Sequence, residues 1–278
     1  MVMIMSELSL ATNARMVGSG EKALVLAHGY GTDQSIWDRV LPHLSQTHRV
    51  VVFDWNFSRP TADDSCGLFD DSVYSSFYAF ADDLISLVES LNLKSFAFVG
   101  HSMSGMIGCI ASLKRPDLFH RLILVGASPR YMNAEDYVGG FDMPAIDGLL
   151  SSMESNFQAW AMNFPSLVMD STDPVSVEYF SKSLQKMRPH IALSLAKTIF
   201  LGDYRDVLEK VEAPCSIIQA TNDLVAPVSV SYYMQKKLIK SKATVEIIET
   251  DGHFPQLSAP QLFIKVLDRV LELGSDKL

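Results

Sequence analysis

Apolar runs and polar punctuation alternate along this chain in two periods. Short blocks of nearly unbroken apolar character have the length of strands buried on both faces: ALVL at 23–26, RVVVF at 49–53, FAFV at 96–99, LILV at 122–125 and SIIQ at 216–219. Residues 244–248 alternate as a further strand. Elsewhere the period becomes helical. Over 76–91 the apolar positions are Phe77, Phe80, Ala81, Leu84, Ile85, Val88 and Leu91. Residues 103–115 read as a helix with Pro116 beyond its end, and 262–273 as a closing amphipathic helix. Strands alternating with helices predict an α/β fold with a mostly parallel sheet covered on both faces.

Between residues 130 and 208 the strand signal stops. Helical patterns run over 146–157, 159–164, 175–186 and 191–200, punctuated by Gly139-Gly140, Pro165, Pro174 and Pro189. An all-helical insertion at this place reads as a cap over the carboxyl edge of the sheet, where ligands bind in such folds. An additional helical layer without a gating role is the plainer alternative. The division expected is a core of residues 1–132 and 201–278 with a cap of residues 133–200.

The strongest chemical signal is Phe96-Ala97-Phe98-Val99-Gly100-His101-Ser102-Met103-Ser104-Gly105. An apolar strand feeds a Gly-x-Ser turn that feeds a helix, the pattern of a nucleophile elbow, in which a strained turn lifts a serine hydroxyl off the sheet edge. Ser104 stands where glycine is usual, and small size is the physical requirement there. A serine hydroxyl needs a base, and in this arrangement the acid and the histidine follow in that order. Asp223 and His253 each come just after a strand pattern, in the right order, so Ser102, Asp223 and His253 are the candidate triad. Asp251 is a competing acid, but two residues from His253 it reads as a turn former. His43 and His48 lie before the second strand, His120 and His190 sit in polar helix-end contexts where a solvated role is the default, and His101 beside the serine is expected to line the pocket. The oxyanion donors expected are the backbone N–H groups of Met103, after the nucleophile, and Tyr30, in the early His28-Gly29-Tyr30-Gly31 loop.

Composition narrows the picture further. The 278 residues are 48% hydrophobic, enough for one substantial core. Lys and Arg number 23 against 32 Asp and Glu, a formal charge of −9, which argues against nucleic acid or an anionic membrane as partner. Cys66, Cys109 and Cys215 match no zinc or CxxC spacing and read as reduced thiols. The early residues lack a signal-peptide pattern, and no window approaches the roughly 20 apolar residues of a membrane span. A cytoplasmic protein, shared with the nucleus, without metal or cofactor is the expectation.

With these motifs in place, the chain resembles the plant strigolactone and karrikin receptor-type α/β-hydrolases, related to bacterial stress-signalling hydrolases. The resemblance runs over nearly the whole chain. It rests on His28-Gly29-Tyr30-Gly31-Thr32-Asp33-Gln34-Ser35, on the elbow through Gly108, on Arg115-Pro116-Asp117-Leu118-Phe119, and on Ala127-Ser128-Pro129-Arg130-Tyr131. Asp136-Tyr137-Val138-Gly139-Gly140-Phe141 and Asp251-Gly252-His253-Phe254-Pro255-Gln256-Leu257 extend it. Phe53-Asp54-Trp55-Asn56-Phe57-Ser58 makes it most similar to the second DWARF-fourteen-like branch. The resemblance implies a four-helix cap over an aromatic pocket lined by Tyr30, His101, Tyr131, Phe141, Phe164 and Phe200. It implies a butenolide ester as ligand, cleaved slowly by a monomer. It also implies an F-box leucine-rich-repeat protein and repressor proteins as partners in the receptor branches. Two departures stand out: Tyr30, where those receptors carry phenylalanine, and the altered 55–58 loop. Hydrolysis carries over through the triad, whereas signalling depends on regions that include these changes.

Three functions compete on these residues: a butenolide hydrolase of the receptor family, a general carboxylesterase for small apolar esters, and a ligand-binding signalling protein with negligible turnover. Related folds that use an aspartate nucleophile are excluded by Ser102, and only the triad speaks for a hydroxynitrile lyase.

Overall fold

Ala23–Ala27 is wholly buried, as a strand in the middle of a covered parallel sheet must be. The computed structural model describes residues 11–58, 69–170 and 172–272, and within them seven strands form one sheet. They are β1 (Arg15–Val17), β2 (Ala23–Ala27), β3 (Arg49–Val52), β4 (Phe96–His101), β5 (Phe119–Val125), β6 (Cys215–Asn222) and β7 (Thr244–Asp251). Their spatial order is β1-β3-β2-β4-β5-β6-β7. Only the β1–β3 pairing is antiparallel, with Arg15 opposite Val52.

β2 leads outward to β3, while β4 returns to the other side of β2, so the connections diverge beside β4. A crevice opens outside the carboxyl ends at such a point. Ala27 pairs with Gly100, which sets the loop after β2 beside the turn after β4. Helices α1 (Phe77–Ser90) and α2 (Met103–Lys114) pack on each other, and α2 lies against β4 and β5. Between β5 and β6 run α3 (Met143–Ser155), α4 (Phe157–Asn163), α5 (Pro174–Gln185) and α6 (Pro189–Leu201), with a single helical turn at Pro165–Val168. After β6 come α7 (Val228–Lys237) and, last, α8 (Pro260–Glu272). Among the described residues no helix is long and apolar enough to cross a membrane.

Local chemistry sets the helix starts. Asn156 accepts a hydrogen bond from Ala159 N–H at 3.0 Å and so ends α3 and begins α4, which places the break earlier than a helix over 146–157 would have it. Asp173 caps α5 through Ser176 N–H, and proline opens α5 and α6, where its missing N–H is harmless.

Two elements have no counterpart in the sequence pattern. β1 has only three residues and exists by pairing with β3. α7 reads VSVSYYMQKK, rich in β-branched and aromatic residues of modest helix propensity, and buries Val230, Ser231 and Met234. Strands β6 and β7 run three residues beyond their apolar blocks, because pairing continues to Asn222 and Asp251. Cys66 lies outside the described residues, and Cys109 and Cys215 are buried free thiols.

Phe98 on β4 is fully buried, and its ring fits where α2 has no side chain: a Cβ on Gly108 would meet that ring at 2.3 Å. Phe98→Ala is expected to destabilise the protein by about 3–5 kcal/mol. Urea unfolding with an unchanged m-value checks this, and a loss below about 1 kcal/mol would show that the strand and α2 do not interlock there.

Candidate active site

The sharp reversal from β4 to α2 is the first thing the sequence must achieve here. Ser102 sits at φ 57° and ψ −124°, outside the comfortable region for a residue with a side chain. The turn closes because Gly100 has no Cβ: one would lie 2.5 Å from Ser104 O. Ser102 N–H donates to Val125 O at 2.8 Å, and Gly105 N–H donates to Ser102 O at 3.0 Å. Strain of this kind persists only where surrounding contacts over-determine it.

Asp223 and His253 arrive from the ends of β6 and β7. Asp223 Oδ2 lies 2.7 Å from His253 Nδ1, with both side chains buried. The carboxylate is held on every side. Its Oδ1 accepts from Val225 N–H at 2.8 Å and Ala226 N–H at 3.1 Å, and its Oδ2 accepts from Gln219 Nε2 at 3.0 Å. Gln219 also donates to Ala226 O and accepts from Ser231 Oγ. Gln219 has one signal in the sequence, a polar residue inside the apolar SIIQ block. Asp251 instead accepts from Asn222 Nδ2 at 2.7 Å and is exposed.

The candidate nucleophile and base line one cavity without a hydrogen bond between them. Ser102 Oγ lies 3.3 Å from Tyr131 OH, and His253 Nε2 is buried without a hydrogen-bond partner. Burial pushes the Tyr131 phenol pKa up, so it stays protonated at neutral pH. His101 Nε2 donates to His253 O at 2.9 Å, and burial, followed by the neighbouring His253, holds the His101 pKa well below the usual value. A neutral His101 leaves Nδ1, which has no partner, as an unused acceptor beside Gly29.

The segments that carry the candidate oxyanion groups come together at the elbow. Met103 is the first residue of α2, so its N–H has no carbonyl one turn back. Gly29, before Tyr30, abuts the elbow: a Cβ there would lie 2.8 Å from His101 Nδ1 and 3.0 Å from Ser102 Cβ. The Tyr30 hydroxyl donates to Ala192 O in α6 at 3.0 Å. The Tyr30 hydroxyl is therefore satisfied by the helical insertion and does not depend on a ligand or water.

A cavity of about 30 Å³ lies over Ser102, room for about one or two water molecules. Tyr30, His101, Tyr131, Phe164 and Phe200 line it, with Phe180 and Phe254, which sequence reasoning missed, among the others. Phe141 is not in the lining. It follows the Gly139-Gly140 turn and packs edge-on against Phe200 at 5.4 Å, and Phe200 takes the inner position. Among the described residues no cluster of His, Cys, Asp or Glu could hold a metal ion.

Asp223→Asn is expected to lower turnover of an ester by about ten-thousandfold, because the amide would favour the wrong histidine tautomer. Asp251→Asn should have little effect. Steady-state rates of the two variants check the assignment, and the reverse order would move the acid to Asp251.

Comparison with known proteins follows the same lines. Residues 22–260 match the family described as alpha/beta hydrolase fold. The chain is 46% identical to the Karrikin insensitive 2 receptor IA of Petunia hybrida, over 95% of this chain and 96% of that protein. It is 44% identical to the Strigolactone esterase D14 of Arabidopsis thaliana, over 94% of this chain and 96% of that protein. Among solved structures, a hydrolase from Oleispira antarctica superposes with a TM-score of 0.90 at 31% identity, covering 96% of each chain.

Proposed function

The chain belongs to the α/β-hydrolase fold family, in the group that holds the strigolactone esterases and karrikin receptors, and from that premise we propose that it is a serine hydrolase that binds and slowly cleaves a small butenolide ester. One observation carries the reading: His253, held by Asp223 through Nδ1 and with its Nε2 unpaired, lines the same apolar cavity as Ser102. In the proposed reaction Ser102 Oγ turns from Tyr131 toward His253, gives up its proton to Nε2 and attacks the ester carbonyl. The N–H groups of Met103 and Tyr30 receive the developing oxyanion, and His253 returns the proton to the leaving oxygen. Water then releases the acyl group by the same route.

Slow turnover follows from two features. The serine has to leave Tyr131 before it can be activated. The cavity, at about 30 Å³, has to enlarge before any ester fits. Residues 133–200 act as the cap in this reading, since Phe164, Val168, Phe180, Ile199 and Phe200 form much of the cavity wall. The small cavity also favours a second reading, a carboxylesterase for small apolar esters. A cytoplasmic and nuclear location goes with the buried free thiols Cys109 and Cys215. Ligand-dependent recruitment of an F-box leucine-rich-repeat protein is the further step this group suggests, and the changed 55–58 loop makes it weak here.

Ser102→Ala is expected to reduce ester cleavage by on the order of a millionfold without unfolding the protein. Rates on a synthetic strigolactone and on a series of p-nitrophenyl esters, beside a thermal melt, check this. Activity near wild type would displace Ser102 as nucleophile. Rates that fall steadily with acyl size, with no preference for the butenolide, would favour the carboxylesterase reading.

A further inference from the structure

Trp55 lies outside the cavity, on the loop after β3, and its indole is 2% exposed. Its Nε1–H donates to two acceptors, His28 O and Ser104 Oγ, each at 3.0 Å. Ser104 Oγ in turn donates to His28 O at 2.5 Å. His28 stands two residues before Tyr30, and Ser104 one residue after Met103. The same indole N–H thus joins the two backbone segments that supply the two oxyanion donors.

The rest of the loop tightens this link. Trp55 backbone N–H donates to His28 Nε2 at 3.0 Å, and His28 Nδ1 donates to Gly29 O at 2.9 Å. That pair of bonds fits only the neutral Nδ1–H tautomer, and burial lowers the His28 pKa accordingly. Ser58 closes the loop with Oγ on Trp55 O at 2.7 Å. The indole itself is wedged edge-on against Phe53 at 4.8 Å and Phe80 at 5.6 Å, so its N–H has little freedom to turn.

We infer that Trp55 is a positioning residue for ester cleavage, fixing the separation of the Tyr30 and Met103 N–H groups through His28 O and Ser104 Oγ. The inference rests on the serine-hydrolase reading. An oxyanion forms only as the reaction proceeds, so loss of this link weakens the transition state more than substrate binding. A phenylalanine ring keeps most of the packing and removes the donor.

The test measures kcat and KM of wild type, Trp55→Phe, Ser104→Ala and the double variant on p-nitrophenyl acetate. Inhibition by a trifluoromethyl ketone, whose adduct with the serine carries an oxyanion, is measured beside them. Trp55→Phe is expected to lower kcat by roughly ten- to hundredfold, with KM little changed and inhibitor affinity falling in step. Ser104→Ala should lower kcat in the same sense, and the double variant should fall no further than Trp55→Phe. If Trp55→Phe does not fold, the fall in kcat and inhibitor affinity of Ser104→Ala decides. A kcat at the wild-type level, additive losses in the double variant, or a loss confined to KM would each overturn the proposal. Wild-type rates in Ser102→Ala would overturn the active-site reading itself, and the role of Trp55 with it.

Discussion

A serine held at φ 57° needs structure on every side of it, and the carboxyl edge of this sheet is arranged around that need. The backbone of Ser102 is pinned from β5 through Val125 O and from its own helix through Gly105 N–H. Gly100 and Gly29 have no side chains, so Ser104 O on one side and the Tyr30 loop on the other can close in. Were the turn to relax toward ordinary helical geometry, the hydroxyl would move off the crest between strand and helix. The first N–H of α2 would then no longer flank it. In the proposed reaction, nucleophile and oxyanion donor are thus two consequences of one strained turn.

The second constraint is the satisfaction of polar groups in an apolar setting. Asp223 is buried, and three donors besides His253 hold its carboxylate. That fixes the plane from which it orients the imidazole. His28 is likewise buried, held at both ring nitrogens and at its carbonyl. Two of the buried groups without a hydrogen-bond partner belong to residues that line the cavity: His253 Nε2 and His101 Nδ1. An unpaired buried nitrogen is unfavourable, and here two of them sit on residues that line the cavity.

Much of this was legible in the sequence. The strands announced themselves as apolar blocks because parallel strands are buried on both faces, and the elbow because a strand, a Gly-x-Ser turn and a helix follow one another without a gap. Asp223 and His253 were legible from their order and from their places after strands. What could not be read depends on partners distant in sequence. β1 is a strand only because β3 lies beside it. Gln219 orients Asp223 only because the chain after β6 turns back and brings Ala226 O beside it. Phe141 yields the cavity to Phe200 through a packing choice that no spacing encodes. Tyr30 shows the limit well: its extra hydroxyl was visible, but its partner, Ala192 O, lies 162 residues away.

The central claim is that Ser102 is a nucleophile activated by His253 inside a small apolar cavity. Intact-protein mass spectrometry after exposure to a small fluorophosphonate, followed by peptide mapping, tests it most directly. The account predicts a single adduct, on Ser102, that forms far more slowly when His253 is replaced by alanine. No adduct, an adduct on another residue, or equal labelling without His253 would contradict it.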